Sequence, residues 1–348
     1  MISSKKIILA IILLSIPLPV FGLLGTHIDK AKNPAGCSAC HTGHGKKGSP
    51  TLRFEKKELC FSCHSSTGEM PSPLKAKTDI LSVFQKRYRH PVLETSHFHR
   101  AFEELPERDP SAPRHVACED CHRVHESTPD RPLRKARGYS ATKVKKKEAD
   151  EEYEVCYLCH ADSLNRPPDR KDISDLMDSL NPSYHPVEAR GKNGNVPSLI
   201  PPLNSNSKIL CTDCHGNNDP FGPKGPHGSD YEYILKARYE RREGSESYEA
   251  YELCYSCHER QSILGNQSFQ KHKEHIVYYH IPCSACHNSH GSKINLHLID
   301  FDPNFVSPVP LPSYIASPTG RSICYLKCHV AGRDVEHNTQ FYNERRWP

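Results

Sequence analysis

The sequence predicts a mainly irregular, small-α fold of short helices and loops with little β structure. Two observations predict it. Apolar residues make up only 36% of the 348 residues, and the chain has 29 prolines and 19 glycines, which is poor material for a conventional core. The 16 cysteines fall into eight close pairs, each followed directly by a histidine. Apolar groups attached at these pairs would supply the bulk that the chain lacks.

The cysteine pairs have the spacing of a haem attachment site. Seven read CxxCH and the last reads CxxxCH, and no cysteine is left over. In this motif the thiols form thioethers with the porphyrin and the adjacent histidine ligates the iron. Disulfide-rich proteins and zinc ribbons also use close cysteine pairs, but neither needs a histidine directly after the second cysteine.

We therefore predict eight haem c groups, with the iron of protoporphyrin held covalently in a multihaem cytochrome c fold whose helices and loops wrap around a haem array. The expected thioether residues are Cys37, Cys40, Cys60, Cys63, Cys118, Cys121, Cys156, Cys159, Cys211, Cys214, Cys254, Cys257, Cys283, Cys286, Cys324 and Cys328. The expected proximal ligands are His41, His64, His122, His160, His215, His258, His287 and His329.

The eight motifs are of two alternating kinds. Odd-numbered motifs have small or polar residues between the thiols, whereas even-numbered motifs have an aromatic residue after the first thiol. The repeat is therefore a two-haem unit present four times. The eighth motif begins CysTyrLeu like the fourth, so Lys327 reads as one inserted residue. We expect units 1 and 2 in residues 23–165 and units 3 and 4 in residues 166–348.

Each unit also has one histidine after its first motif and one before it, which gives eight candidates for the distal iron ligands. Axial histidines on opposite faces of a haem have Cα atoms about 12–13 Å apart, whereas three residues span about 10–11 Å. His44 therefore cannot ligate the haem of His41. We expect the following histidine to serve the second haem of its unit and the upstream histidine to serve the first. The candidates are His27, His44, His90, His125, His185, His227, His275 and His290; the competitors are His115, His280, His272, His97 and His99, with His297 and His337 spare.

Residues 1–22 have the layout of a secretory signal peptide, with Lys5 and Lys6 before an apolar run. The alternative is an uncleaved anchor, because Ile7 to Leu24 approaches the length of a membrane helix, although two prolines interrupt it. We expect an exported protein, either periplasmic or extracellular and outer-membrane associated.

The formal charge of +5 describes the chain without haem. Ionised haem propionates would reverse its sign, so the charge does not indicate nucleic-acid binding. We expect lysines and arginines to pair with propionates. The basic run 131–147, followed by an acidic run 148–154, reads as a solvated loop or helix, or as a docking patch for a redox partner.

The series HisProVal, CysSerAlaCysHisThrGlyHisGly and LeuCysPheSerCysHis resembles the doubled-CXXCH family of multihaem c-type cytochromes, common in metal-reducing bacteria. It departs from the family in its CxxxCH motif, in the distance of His227 from Cys214, and in long inserts before Cys118, Cys156 and Cys211. The resemblance implies respiratory electron transfer, often between periplasm and outer surface. It implies partners such as other cytochromes, an outer-membrane porin or an inner-membrane quinol dehydrogenase.

Three functions fit these observations. The first is an electron-transfer protein with eight bis-histidine haems and no catalytic residue. The second is a reductase of nitrite, hydroxylamine or a sulfur oxyanion, which needs an iron with an open face. The third is a subunit of a polymeric filament, in which His27 ligates a haem of the next subunit.

Overall fold

A computed structural model describes residues 25–43, 51–54, 56–71, 76, 78–94, 115–161, 171–307, 313–315, 323–330 and 333–337. The predicted signal peptide and the candidates His44, His97 and His99 lie outside the described residues. Within these ranges, no helix is long and apolar enough to cross a membrane.

The helices are short, as predicted. In the described ranges the α-helices are α1 (Lys56–Cys63), α2 (Ile80–Phe84), α3 (Cys118–Cys121), α4 (Glu152–His160), α5 (Ile173–Met177), α6 (Cys211–Cys214), α7 (Glu252–Tyr255) and α8 (Arg260–Leu264). Single 3-10 turns cover Gly36–Ala39, Glu232–Ile234, Glu249–Tyr251 and Cys283–Ala285, and a π-helical turn covers Glu274–Tyr278. Most of the motifs therefore start within a single helical turn.

Side-chain caps define where several of these helices begin. Asp79 and Asp172 each accept a backbone N–H from the first turn of α2 and α5. In α3 and α6, Asp120 and Asp213 reach back to the N–H of the residue before the helix, at 2.8 Å in both cases. The motif histidine that follows each of these two helices adopts an extended backbone, which ends the helix there.

The strands are mostly two residues long: β1 (Tyr88–Arg89), β2 (Gly138–Tyr139), β3 (Lys145–Lys146), β4 (Ser183–Tyr184), β5 (Gly228–Ser229), β6 (Gly291–Ser292), β7 (Val306–Ser307), β8 (Ser313–Ile315), β9 (Ile323–Val330) and β10 (Arg333–His337). Antiparallel pairs form between β1 and β5, β2 and β3, and β4 and β6. Strand β9 pairs with β7, β8 and β10. The β1–β5 pair crosses the predicted boundary at residues 165/166, which stays a prediction.

The buried apolar residues form small clusters beside the motifs. One cluster contains Ile281, Ala285, Val306, Leu326 and Cys328. A second is built around Tyr157 and Met177, and a third around Tyr251 and Tyr255. Partly buried motif cysteines pack against all three. The predicted irregular fold of small helices with few strands is therefore confirmed.

The basic run 131–147 and the acidic run 148–154 neutralise each other in part. Lys135 contacts Glu148 at 2.6 Å, and Lys146 contacts Asp150 and the buried Glu154, the latter at 2.9 Å. These ion pairs reduce the net positive charge that the run 131–147 would offer to a redox partner.

Candidate functional site

Seven motifs share one local structure. In six of them the backbone N–H of the motif histidine donates to the carbonyl of the first cysteine, at 2.8–2.9 Å. The seventh, Cys156 to His160, lies at the end of helix α4. Residues three apart in such a turn lie on the same side, about 5–6 Å apart at Cβ. Each turn thus presents two thiols and an imidazole together.

The described motif histidines each face a second histidine from another part of the chain. The distances between the two ring centres fall in a narrow range, from 6.0 to 6.4 Å. The pairs are His41 with His125, His64 with His27, His122 with His227, His160 with His90, His215 with His290, His258 with His185, and His287 with His272.

This spacing fits a single iron atom between two imidazoles. An imidazole nitrogen binds a first-row metal at about 2.0–2.1 Å, and the ring centre lies about 1.1 Å behind that nitrogen. Two opposed imidazoles on one metal therefore have ring centres about 6.2–6.4 Å apart. The described residues include no group of three or more metal-binding side chains. A porphyrin would supply the four in-plane nitrogens that complete such a site.

Hydrogen bonds on the far side of the rings orient the nitrogens toward that space. The Nδ1–H of His122, His215 and His287 donates to a backbone carbonyl at 2.8–3.0 Å. His258 instead contacts the Ser198 hydroxyl at 2.9 Å. Once Nδ1 carries the proton, the lone pair of Nε2 is available to a metal.

Burial keeps these imidazoles neutral. It lowers the pKa of His64, His227 and His258 to about 4, and that of His272 and His290 to about 3. A neutral imidazole is the form that ligates iron, so the environment suits the predicted chemistry.

The distal histidines are held by a contact that recurs three times between consecutive units. The Nδ1–H of His27, His90 and His185 donates to the carbonyl of the residue just before the following histidine of the next unit. Those carbonyls belong to Val124, Pro226 and Ser289, which precede His125, His227 and His290. The two distal histidines of each junction therefore lie side by side.

Short strand pairs support two of these contacts. Strand β1 pairs with β5 and β4 with β6, and the N–H groups of His90 and His185 donate to the carbonyls of His227 and His290. A Cβ atom at Gly291 would lie 1.9 Å from the carbonyl oxygen of Leu176. Only glycine permits this close approach. The HisGlySer sequence after a motif therefore marks where a unit forms its strand pair with the preceding unit.

These pairs correct the expected assignment of ligands. The upstream histidine faces the second motif of its own unit, not the first. The following histidine faces the first motif of the preceding unit, because the strand pairs carry it across the junction. In unit 4 the competitor His272, not His275, faces His287.

The remaining histidines lie elsewhere. His275 packs against Phe269 and donates its Nδ1–H to the carbonyl of Lys271 at 2.7 Å. His115 is buried and His280 is exposed, and neither has a histidine ring facing it in the pairs above. His297 lies beside the ring of Tyr314. The side chains of His329 and His337 are outside the described part of the structure.

Contacts between thiols connect successive motifs in the order of the sequence. The thiol of Cys60 is hydrogen-bonded to that of Cys118, and the thiol of Cys156 is hydrogen-bonded to that of Cys211. Other thiols of successive motifs lie near enough for the charge of one to raise the pKa of the other: Cys40 and Cys63, Cys121 and Cys156, Cys214 and Cys257, Cys254 and Cys283, and Cys286 with Cys324 and Cys328. Each motif thus neighbours the next, from the first to the eighth.

The eighth motif differs in conformation. Cys324 and Cys328 lie in the extended strand β9, where four residues span about 13 Å. Both thiols share the face that packs on the cluster of Ile281, Val306 and Leu326. This separation does not fit two thioethers on one porphyrin as the turns of the other motifs do. Haem attachment at this motif would need the strand to shorten locally.

Comparison with known proteins agrees with the motif. Residues 31–69 and 201–263 match the family model described as the doubled CXXCH motif. The matched segments contain motifs 1 and 2 and motifs 5 and 6, and a doubled CXXCH motif is typical of multihaem c-type cytochromes, which transfer electrons. The resemblance to the doubled-CXXCH family is thereby confirmed over the matched segments. No curated protein and no solved structure matches the chain.

Proposed function

We propose that this protein conducts electrons along eight bis-histidine haems arranged in sequence order. The observation that carries the proposal is the set of seven opposed imidazole pairs, each with the spacing that one iron requires. The residues that would hold each haem are the two motif thiols, the motif histidine and the histidine that faces it. Haem supplies the one-electron redox chemistry.

The contacts between successive thiols support a continuous path. A thioether lies at the porphyrin edge, so thiols in contact bring two porphyrin edges together. We number the haems 1 to 8 by their motifs. Electrons would pass through them in that order or in reverse, and each pair of distal histidines fixes the two haems of a unit relative to each other.

The reductase alternative needs an iron with an open axial position. In the seven described pairs a histidine ring lies on each side of the space that an iron would occupy, so both axial positions would be filled. The eighth haem, for which the structure describes no opposed pair, is where this alternative would be tested.

For the eighth haem, the CysTyrLeu sequence that it shares with the fourth motif supports attachment, and the packing of Cys328 beside Cys286 would place it next to haem 7. Attachment would draw Cys324 and Cys328 out of the extended conformation. The expected loss of the β9 pairing is confined to the segment that carries the inserted Lys327.

We propose that the protein works outside the cytoplasm after export, and exchanges electrons with other redox proteins. The layout of residues 1–22 and the covalent haem motifs support this location. In the filament alternative His27 would ligate a haem of the next subunit; the ring of His27 faces His64 of the same chain at 6.0 Å, which favours a role within its own chain.

The test is a haem count with a spin-state measurement. Intact mass of the exported protein should show eight haems per chain, and electron paramagnetic resonance of the oxidised protein should show low-spin ferric haem. Added cyanide or nitrite should leave the spectrum unchanged. A high-spin signal that these ligands convert would instead favour a reductase, and a mass without haem would exclude the proposal.

A further inference from the structure

Glu152 and Thr212 form a contact that joins the fourth motif to the fifth. Glu152 begins helix α4, one turn before Cys156. Thr212 lies between the two cysteines of the fifth motif. One oxygen of the Glu152 carboxylate accepts the Thr212 backbone N–H at 2.9 Å, and the other accepts its hydroxyl at 2.7 Å. The two residues are 60 positions apart in the chain.

The contact supplies a hydrogen-bond acceptor to the N-terminus of the short helix α6. With only four residues, this helix leaves its first N–H groups without helical acceptors. The carboxylate satisfies one of them with a charge-assisted hydrogen bond and binds the hydroxyl of the same residue. Immediately beside it, the thiols of Cys156 and Cys211 contact each other. The clamp therefore lies where the porphyrins of haems 4 and 5 would approach.

The other even-to-odd junctions lack this pair of residues. At the junction of motifs 6 and 7, Ala250 occupies the position of Glu152 and Ser284 that of Thr212. The buried Ser284 hydroxyl has no hydrogen-bond partner in the described residues. At the junction of motifs 2 and 3 the corresponding residues are Lys56 and Glu119. A carboxylate that clamps a hydroxyl is specific to the centre of the proposed chain of haems.

We propose that Glu152 is a positioning residue that holds the edges of haems 4 and 5 together and lowers the reduction potential of both. This inference rests on the proposed function and deepens it. A fixed negative charge favours the oxidised haem, whose iron carries one more positive charge than the reduced form. Electrons therefore leave the two central haems more readily than they would without this charge, so they do not accumulate at the middle of the path.

Two variants separate the charge from the clamp. Glu152→Gln keeps an oxygen acceptor but removes the charge, and Thr212→Val keeps the charge but removes the hydroxyl. Glu151→Gln is the matched control, because it removes the same charge from the adjacent residue, whose carboxylate contacts Lys208 at 3.6 Å on the surface. Potentials are measured by a spectroscopic redox titration of the full holoprotein, with haem methyl resonances followed by NMR.

In Glu152→Gln, two of the haems should become easier to reduce by about tenfold in equilibrium constant, which is about 59 mV for a one-electron couple. Their methyl resonances should shift and those of the other haems should not. Thr212→Val should slow electron transfer between the two haems after pulse radiolysis severalfold, and Thr212→Ser should restore the wild-type rate.

Equal shifts in Glu151→Gln and Glu152→Gln would overturn the tuning role, because they would show a general effect of net charge. Unchanged electron transfer in Thr212→Val would overturn the positioning role. If the variants still carry eight haems, either of these results concerns only the role of the Glu152–Thr212 contact. If the wild-type protein carries no haem, the proposed function itself fails.

Discussion

The proposed ligation of haem 3 by a histidine of the next unit gives the sharpest test of the site. His227 follows the fifth motif in the sequence, but its ring centre lies 6.1 Å from that of His122 in the third motif. Replacing His227 with alanine should therefore open the iron of haem 3 and leave haem 5 six-coordinate. The effect of the substitution should appear one unit upstream of the altered residue.

The size of the gap follows from the ring distance. A truncated side chain would end about 5–6 Å from the iron, beyond any metal–ligand bond and wide enough for a water molecule. One haem in eight should become high-spin. Methionine at the same position can still reach the iron, so His227→Met should stay low-spin and raise the potential of one haem, because methionine ligation favours the reduced state.

The assay compares spin states in two backgrounds. In a variant without haem 3, made by Cys118→Ser with Cys121→Ser, the His227→Ala substitution should add no high-spin signal. In a variant without haem 6, made by Cys254→Ser with Cys257→Ser, it should still convert one haem. His280→Ala is the control, because that exposed histidine faces none of the seven motif histidines whose side chains the structure describes.

The reverse result would refute this assignment. If His227→Ala had no effect without haem 6 but opened an iron without haem 3, the histidine would serve the second haem of its own unit, as the sequence alone suggested. A high-spin signal in His280→Ala would show that the loss of ligation is nonspecific.

Three further substitutions have defined outcomes. Ser198→Ala removes the hydrogen bond to the sixth motif histidine, worth about 1 kcal/mol, and should raise the potential of one haem by about 40 mV in a redox titration, whereas Ser207→Ala in an exposed turn should not. Gly291→Ala should cost about 1–3 kcal/mol in chemical unfolding, because its Cβ would overlap a backbone carbonyl, whereas Gly194→Ala, with open space around it, should be tolerated. Burial raises the pKa of Glu188, so the charged carboxylate destabilises the fold at a pH above that pKa. The free energy of unfolding of Glu188→Gln should therefore rise relative to that of the wild type as the pH increases through the pKa of Glu188. An equal difference in unfolding free energy at acid and alkaline pH would contradict this prediction.

The sequence predicts the motif geometry because each motif is a local unit. Seven motifs form the turn that their spacing requires. The sequence also predicts that a histidine three residues past a motif histidine cannot ligate the haem of that motif. The structure agrees, since His125 faces His41 and not His122. Such constraints involve a few residues and need no knowledge of the tertiary fold.

The partner of each motif histidine could not be predicted in this way. The choice depends on strand pairs and carbonyl contacts between units, which bring together residues about 100 or more positions apart. The HisGlySer sequences at residues 227–229 and 290–292 were the available signal, because a glycine beside a candidate ligand indicates close backbone approach. In unit 4, His272 from the same unit faces the first motif histidine, His287.

Near-infrared magnetic circular dichroism of the fully oxidised holoprotein, calibrated per chain by haem content, tests the central claim most directly. Bis-imidazole ligation predicts intensity for at least seven low-spin haems, each with two nitrogen ligands. Intensity for fewer than seven, or bands from methionine or hydroxide ligation in their place, would contradict the account of seven opposed histidine pairs.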